Sequence, residues 1–289
     1  MNKTFPRLFA VAAVATLFSS CILLENPEGD DPGWRTTRER ESAPSGSEFR
    51  RGLEFAPGGT LTVENDYGDV RITGWDREEA EIVATAAAVE AQPQRSARQY
   101  RVRNATPDVE VRETGRGVLV RTPTFEGPGR APAVDYEIQV PNSVVLSGIR
   151  ISEGNLTVAD VFGRFEASVD QGDLSVTNYS GPLRATVGTG NADVEVLDLR
   201  DGDEITITTR RGDIFLRLES GAGAIIEADA PRGEVSSDFD LGVRLPAPTV
   251  KGWIGEGGPT VILRALDGRI RILRATGAGA PSAAAQAGK

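Results

Sequence analysis

The sequence contains no histidine, one cysteine and only three lysines among its 289 residues. Without histidine, the chain cannot build Ser-His or Cys-His nucleophile pairs or a His-containing metal site. The single cysteine, Cys21, excludes thiolate-cluster metal sites and every disulfide within the chain. No GxxxxGK[ST] phosphate-binding loop is present either. We therefore expect a protein without cofactor or bound metal, and one that is not an enzyme.

Positive charge is also scarce in this chain. Lysine and arginine together number 32 against 42 acidic residues, which gives a net charge of −10 at pH 7. Such an acidic protein has no electrostatic attraction for nucleic acid or for an anionic membrane surface. We expect no nucleic acid partner, and any membrane association must come from another feature of the chain.

The N-terminal residues 1–20 have the features of a secretory signal peptide. Lys3 and Arg7 precede an apolar run from Leu8 to Phe18, which is short for a membrane span. Cys21 stands where cleavage would fall, behind Leu-Phe-Ser-Ser, a stretch that resembles a bacterial lipobox with phenylalanine in place of the usual leucine. We therefore expect lipidation of Cys21, the alternative being an ordinary signal peptide with an incidental cysteine.

The residue after Cys21 bears on the membrane that would hold the anchor. Ile22 replaces the aspartate that retains many lipoproteins on the inner membrane, so in a two-membrane cell we expect the outer membrane, on its periplasmic or its outer face. Residues 21–52 are rich in Pro, Gly, Ser and charge, which predicts a disordered tether. Residues 275–289 are small, polar and unpatterned, and we expect a disordered tail.

A nine-residue repeat dominates residues 154–196. Each unit starts with glycine and continues with alternating apolar and polar residues, as in Leu174, Ser175 and Val176. This alternation indicates strands with one buried face. Glycine supplies a positive φ or a close approach at a tight corner, and the Asp or Asn that follows can bond to the turn's own backbone. The five glycines are Gly154, Gly163, Gly172, Gly181 and Gly190.

The repeat length predicts the architecture. Nine is odd, so an uninterrupted strand would reverse its faces from one unit to the next, and each corner must reset the chain. The simplest geometry is an all-β fold, a β-solenoid with two nine-residue sides in each eighteen-residue coil. An antiparallel meander with equally spaced hairpins is the alternative.

Weaker copies of the unit flank this core, in a β-repeat domain expected over residues 53–274. The N-terminal part is irregular, with strands predicted at Ala80–Ala88, Val109–Arg112, Gly117–Thr122 and Val134–Val140, and a short helix near Pro93–Tyr100. Later units begin at Gly202 and Gly233 and are separated by predicted loops such as LPAPTVKGWIGEGG. The corner residues expected to form turns are Gly68, Asp69, Gly154, Asn155, Gly172, Asp173, Gly190, Asn191, Gly212, Asp213 and Gly268.

Three features in this order resemble one family. They are the opening GTLTVEN and GDVRITGW, the strand YEIQVP before the regular units, and the successive G-[DN]-[LI]-x-[VL] corners. The combination is similar to DUF4097, a family of bacterial β-strand-repeat envelope proteins named for a suspected role as adhesins. The resemblance covers roughly residues 53–274 and implies a β-solenoid-like surface protein. It implies no ligand and no catalytic residues.

Calcium is the first chemistry to weigh, because glycine-aspartate repeats also describe calcium-binding β-rolls. Only Gly188, Gly190 and Asp193 approach that pattern, with the aspartate one position late, so the ladder of oxygen ligands is missing. An acidic turn offers oxygen atoms for an adventitious ion, but we favour a solvated turn as its explanation. Its residues are Asp198, Asp201, Asp203 and Glu204.

Two further surface chemistries remain open. Asp173 and Asp213 occupy equivalent corners and resemble the paired carboxylates of polysaccharide-active β-helix enzymes, but a structural role in the turn suffices for both. Tyr67, Tyr179 and Trp253 are candidates for surface contact with a sugar or a protein. Our expectation is a non-catalytic, lipid-anchored envelope protein for adhesion or partner binding. The alternatives are an accessory protein of an envelope-stress or membrane regulator system and a polysaccharide-active enzyme.

Overall fold

The computed structural model describes residues 48–86, 107–123 and 132–275. Contacts divide the chain after Arg35, and all of these residues belong to the second unit. The predicted signal peptide, Cys21, the helix near residues 93–100 and the tail beyond Ala275 lie outside the described residues. Those expectations stay predictions.

The described residues form strands and turns without a helix, so the all-β prediction is confirmed. Their twenty strands are, in chain order, β1 Glu48–Glu54, β2 Thr60–Tyr67, β3 Val70–Trp75, β4 Glu79–Ala86, β5 Glu110–Thr114, β6 Gly117–Arg121, β7 Val134–Pro141, β8 Val145–Glu153, β9 Leu156–Ala159, β10 Phe165–Gln171, β11 Leu174–Ser180, β12 Leu183–Thr189, β13 Ala192–Asp198, β14 Glu204–Arg211, β15 Ile214–Leu218, β16 Ala224–Asp229, β17 Val235–Ser237, β18 Thr249–Ile254, β19 Thr260–Ala265 and β20 Ile270–Arg274.

These strands form two sheets of ten, counted over the described ranges. Sheet A has the order β1-β4-β7-β3-β9-β11-β13-β15-β20-β17, and sheet B has the order β5-β6-β2-β8-β10-β12-β14-β19-β16-β18. From β8 to β15 consecutive strands alternate between the sheets and pair in parallel with the strand two places later. Leu156 lies beside Leu174, which lies beside Ala192, so the register advances by 18 residues per step there, and by 22 at the next step, from Ala192 to Ile214. An antiparallel meander is therefore wrong for the repeat core.

The apolar positions of the repeats face each other across the space between the sheets. Leu174 and Val176 are fully buried, whereas Ser175 between them is only half-buried on the outer face. Buried residues of nearly every other strand join them in one continuous hydrophobic cluster. Each repeat gains its stability mainly from apolar surface buried against its neighbours.

The repeat glycines are required by two features of the corner. Gly172 has a φ of +140°, a conformation that residues with a side chain rarely adopt. A Cβ atom at Gly172 would lie 2.0 Å from the carbonyl oxygen of Gly154 in the adjacent level. The same approach recurs between Gly190 and Gly172 at 2.1 Å and between Gly212 and Gly190 at 2.0 Å. Successive levels therefore stack backbone on backbone at this corner.

Two segments differ from the sequence expectation. The predicted tether, residues 21–52, runs into β1, which pairs antiparallel with β4 from Glu48 because Phe49 and Leu53 pack against the core. The predicted loop LPAPTVKGWIGEGG contains β18, which pairs antiparallel with β16. Val250 and Ile254 are buried there, which gives the segment an apolar face that the surrounding Pro and Gly residues conceal in the sequence.

The spatial order of the strands departs from chain order near both ends of the sheets. β19 pairs with β14 and β16, and β20 pairs with β15 and β17. In the chain, β16 and β17 therefore precede β19 and β20, the strands that lie between them and the repeat core. β18 follows β16 and becomes the last strand of sheet B.

Candidate functional surface

The predicted corner residues form a hydrogen-bonded ladder that links adjacent levels. The backbone N–H of Asp173 donates to Oδ1 of Asn155 at 2.9 Å, and the N–H of Asn191 donates to Oδ1 of Asp173 at 2.7 Å. Each Asp or Asn was expected to bond to its own turn. It bonds instead to the next level, because the close glycine contact brings that N–H group within reach.

Aspartate and asparagine alternate along this ladder. Its order is Asp69, Asn155, Asp173, Asn191 and Asp213, so an amide separates successive carboxylates. Like charges in contact along the row would be destabilising, and the alternation avoids them. The ladder is structural, since each of these side chains accepts a backbone N–H.

The paired-carboxylate idea rests on Asp173 and Asp213, which lie two levels apart. At about 4.8 Å per strand, their backbones are roughly 10 Å apart. Oδ1 of Asp213 accepts the N–H of Arg269 at 2.8 Å, and Oδ2 pairs with that arginine's Nη2 at 3.0 Å. Both aspartates are thus held in structural bonds and do not converge on a common point.

The candidate calcium ligands are also engaged with cations or backbone. Asp193 pairs with Arg217, and Asp203 accepts the backbone N–H of Arg200 at 3.0 Å. Asp198 pairs with the Arg200 side chain at 2.8 Å. Within residues 48–86, 107–123 and 132–275, no three acidic, cysteine or histidine side chains form a group able to hold a metal ion.

The other members of the acidic turn follow the same pattern. Glu204 pairs with Arg184 at 3.3 Å and accepts the hydroxyl of Thr206 at 3.0 Å. Asp201 is exposed at the turn between β13 and β14. The turn is a solvated connection in which Asp198 and Glu204 pair with arginines and Asp203 caps a backbone N–H.

Tyr179 does not form a surface contact, and that prediction was wrong. The side chain is fully buried, and its hydroxyl shares one proton between the carbonyl oxygens of Gly163 at 2.5 Å and Pro182 at 2.8 Å. Burial raises the pKa of this phenol well above its usual value. A tyrosine at a corner looks exposed in the sequence, but here the ring turns inward to satisfy two carbonyl groups. Tyr67 is half-buried at its own corner.

Trp253 is the most exposed large apolar side chain in the described part of the chain. It is 58% exposed on the outer face of sheet B, in β18. Its cross-strand partner Ile225 is 45% exposed, and the sequence analysis missed this residue because GAGAIIEADA shows only a buried-strand pattern. The indole edge lies beside Gly242, where an added Cβ would sit 3.7 Å from the ring.

One charged pair borders these two apolar side chains. Lys251 Nζ donates to Glu227 Oε1 at 3.2 Å in the next cross-strand position. We call Ile225, Glu227, Lys251 and Trp253 together the Trp253 surface. An apolar centre with a polar margin is the usual arrangement of a protein-binding surface.

Other exposed apolar residues among those described are scattered. Phe162 is 42% exposed at the turn before β10, and Leu266 is 46% exposed after β19. Isolated residues of this kind are normal on a protein surface. Trp253 and Ile225 differ because they are paired across two strands.

A polar cleft lies at the opposite side of the repeat core, lined by residues that include Glu64 and Arg121. Beneath it, Asn65 Nδ2 donates to the carbonyl oxygen of Val134 at 2.9 Å, and the hydroxyl oxygens of Thr122 and Tyr136 share a hydrogen bond of 2.7 Å. Burial raises the pKa of Tyr136 to about 12. This network satisfies the buried polar groups beneath the cleft.

Comparisons with known proteins add little to this geometry. No family model matches the sequence, and no curated protein matches it. A candidate cell adhesion protein from Clostridium sporogenes ATCC 15579 shares 14% identity at a TM-score of 0.43, over 79% of this chain and 100% of that one. A candidate adhesin from Bacteroides fragilis NCTC 9343 shares 10% identity at a TM-score of 0.26, over 80% and 99%. Similarity this low does not inform the function.

Residues 48–86, 107–123 and 132–275 contain no helix long and apolar enough to cross a membrane.

Proposed function

We propose that this protein is a non-catalytic envelope protein, anchored by lipid at Cys21, that binds a partner through the outer face of a β-solenoid. The observation that carries the proposal is the exposure of Trp253 beside Ile225 on that face. Tryptophan is enriched among the residues that dominate binding energy, because its rigid ring buries a large area with little loss of side-chain entropy.

The scaffold suits this role because it holds the two side chains on paired strands. β16 pairs with β18 on one side and with β19 on the other, and β19 continues into the repeat core. The main chain beneath the Trp253 surface is therefore fixed before a partner arrives. A preorganised surface loses less conformational entropy on binding.

The finer parts of the proposal come from the sequence and the strand order. Parallel pairing at 18-residue steps within each of the two sheets supports a β-solenoid. The order of the motifs supports membership of the DUF4097 family, and the position of Cys21 supports an outer-membrane lipoprotein. A non-catalytic role is supported by the structural bonds that Asp173 and Asp213 make.

Photocrosslinking in intact cells tests partner binding. A photoreactive amino acid at position 225 leaves Trp253 in place, and the same group at position 175 lies on the outer face of sheet A. We expect a covalent adduct from position 225 and none from position 175. Absence of an adduct from position 225, or equal adducts from both, would contradict the proposal.

Membrane fractionation tests the anchor separately. Several acyl chains on Cys21 would hold the protein on membranes far more strongly than a single chain could. Cys21→Ser should move the protein into the soluble fraction. A variant that still sediments with membranes would refute the lipid anchor.

A further inference from the structure

The edges of the two sheets differ in a way that bears on the partner. β1 carries Glu48, Arg50, Arg51 and Glu54, and such charged edges resist pairing with another strand. β5 is similarly charged, EVRET. β17 has three residues, and its Val235 is bonded to Ala247. β18 has six residues with one charge and ends sheet B in the described structure.

The hydrogen-bond pattern shows which main-chain groups of β18 face the open edge. The N–H of Ala230 donates to the carbonyl of Pro248 at 2.7 Å, one step before the β16–β18 ladder. Antiparallel bonds recur at every second residue. The N–H and C=O groups of Thr249, Lys251 and Trp253 therefore point away from β16.

These outward groups have no backbone hydrogen bond from any other described segment. The nearest segment contacts side chains and faces of the strand instead: the carbonyl oxygen of Leu241 would lie 2.3 Å from a Cβ at Gly252 on the inner face, and Gly242 lies beside the end of the Trp253 ring. The inner face of β18 is thus closed, whereas its edge keeps three donors and three acceptors at strand spacing. Only another extended main chain matches that spacing.

We propose that β18 binds an extended segment of a partner protein by strand addition, with an acidic residue of that segment opposite Lys251. Trp253 and Ile225 would pack against apolar side chains of the added strand. Lys251 is the one charge on β18; it pairs with Glu227 at 3.2 Å on the β16 side, and at 72% exposure its ammonium group keeps donors for a second carboxylate across the open edge. A carboxylate opposite the lysine contributes a favourable cross-strand pair.

A second copy of the chain fits this edge poorly. Antiparallel pairing of two β18 strands uses all three outward residues only when Thr249 meets Trp253 and Lys251 meets Lys251 of the other copy. Like charges directly opposite each other are destabilising. Lysine on an edge strand is a common means of preventing self-pairing, and here it favours an acidic partner strand.

The inference rests on the proposed function but can be tested without the natural partner. The probe is a displayed library of ten-residue peptides in which Val or Thr alternates with randomised positions, selected on the full chain. We expect selected peptides to contain Asp or Glu. We also expect them to slow amide hydrogen exchange at Lys251 and Trp253.

Proline variants give a matched pair for this test. Lys251→Pro removes one outward N–H and the side-chain pair with Glu227 but no backbone bond to β16, and it should weaken peptide binding at least tenfold. Arg50→Pro makes the same change on β1, where the bond from Phe55 N–H to Glu78 O at 3.1 Å places Arg50 N–H outward. Arg50→Pro should leave binding unchanged.

A charge reversal covers the case in which proline disturbs folding. Selection on Lys251→Glu should enrich Lys or Arg in place of acidic residues. No enriched peptide, or binding that neither Lys251 variant alters, would overturn strand addition.

The two proposals fail in different ways. A partner crosslinked from position 225 that binds Lys251→Pro as tightly as the wild type would refute strand addition and leave the proposed function standing. Peptides that bind the β18 edge, together with no crosslinked adduct in cells, would refute the proposed function and leave strand addition standing.

Discussion

Replacing Gly172 by alanine should destabilise the fold more than any ordinary surface change. The alanine Cβ would lie 2.0 Å from the carbonyl oxygen of Gly154, at a position where φ is +140°. Real Cβ atoms essentially never approach closer than 3.0 Å, so the two levels must separate by at least the 1.0 Å difference. The strain therefore falls on the bonds that join these levels.

The size of the effect follows from two contributions. Three bonds join the levels here, from Gly154 N–H to Gln171 O, Leu156 N–H to Asp173 O and Asp173 N–H to Asn155 Oδ1, each 2.9 Å long. Weakening them costs about 1 kcal/mol each, and the φ conformation costs about 1–3 kcal/mol. We expect a loss of roughly 4–6 kcal/mol, a large part of the usual stability of a domain.

Gly202→Ala is the matched control. Gly202 also has a positive φ, +93°, but no atom lies within 4 Å of its added Cβ. Its alanine variant should lose only the backbone contribution, about 1–3 kcal/mol. Denaturant unfolding of both variants gives the comparison. Equal losses in the two variants, or a Gly172→Ala loss below about 1 kcal/mol, would refute the close-stacking argument.

Three further outcomes are expected. Val176→Asp should cost several kcal/mol because it buries an unpaired charge, whereas Ser175→Asp should stay within about 0.5 kcal/mol in the same unfolding assay; equal losses would mean the register is wrong. Tyr179 and Tyr136 have raised pKa values when folded, so their stabilisation is complete below pH 10 and declines as pH rises above it. Tyr179→Phe should lower the unfolding free energy by about 1–3 kcal/mol at pH 7. Above pH 10 its unfolding free energy should fall less steeply with pH than that of the wild type, and an unchanged slope would contradict this. The double variant Asp173→Asn and Asp213→Asn should keep its melting temperature within a few degrees, with or without chelator; a polysaccharide-cleaving activity that it loses would end the non-catalytic proposal.

The repeat core was predictable because its causes are local. Gly172, Leu174 and Val176 follow one another in the order that a corner and a half-buried strand require. The same sequence pattern at Gly212 and Gly268 predicted two later corners, and both glycines stack on the corner of the adjacent level. The local sequence pattern does not show which strand each strand pairs with, since Ile214 pairs with Ile270 across 56 residues of chain.

The errors have the same origin. Tyr179 sits at a corner, and its burial depends on carbonyl groups of Gly163 and Pro182 that the fold brings to it. β18 is hidden among Pro and Gly residues, and it becomes a strand because β16 offers a partner and Leu241 packs beneath Gly252. Trp253 was identified as a candidate contact, but its pairing with Ile225 required the antiparallel register.

The most direct measurement of the central claim compares three full-length proteins, each carrying Cys21→Ser so that no acyl chain holds it, for binding to envelopes from cells that lack the protein. They are the wild type, Trp253→Ala and Phe162→Ala, a matched loss of an exposed aromatic at a separate site. If the Trp253 surface is the binding surface, Trp253→Ala should bind at least tenfold more weakly, as removal of a dominant contact of about 2 kcal/mol predicts. Phe162→Ala should bind like the wild type. Retention of Trp253→Ala at wild-type strength would contradict the account.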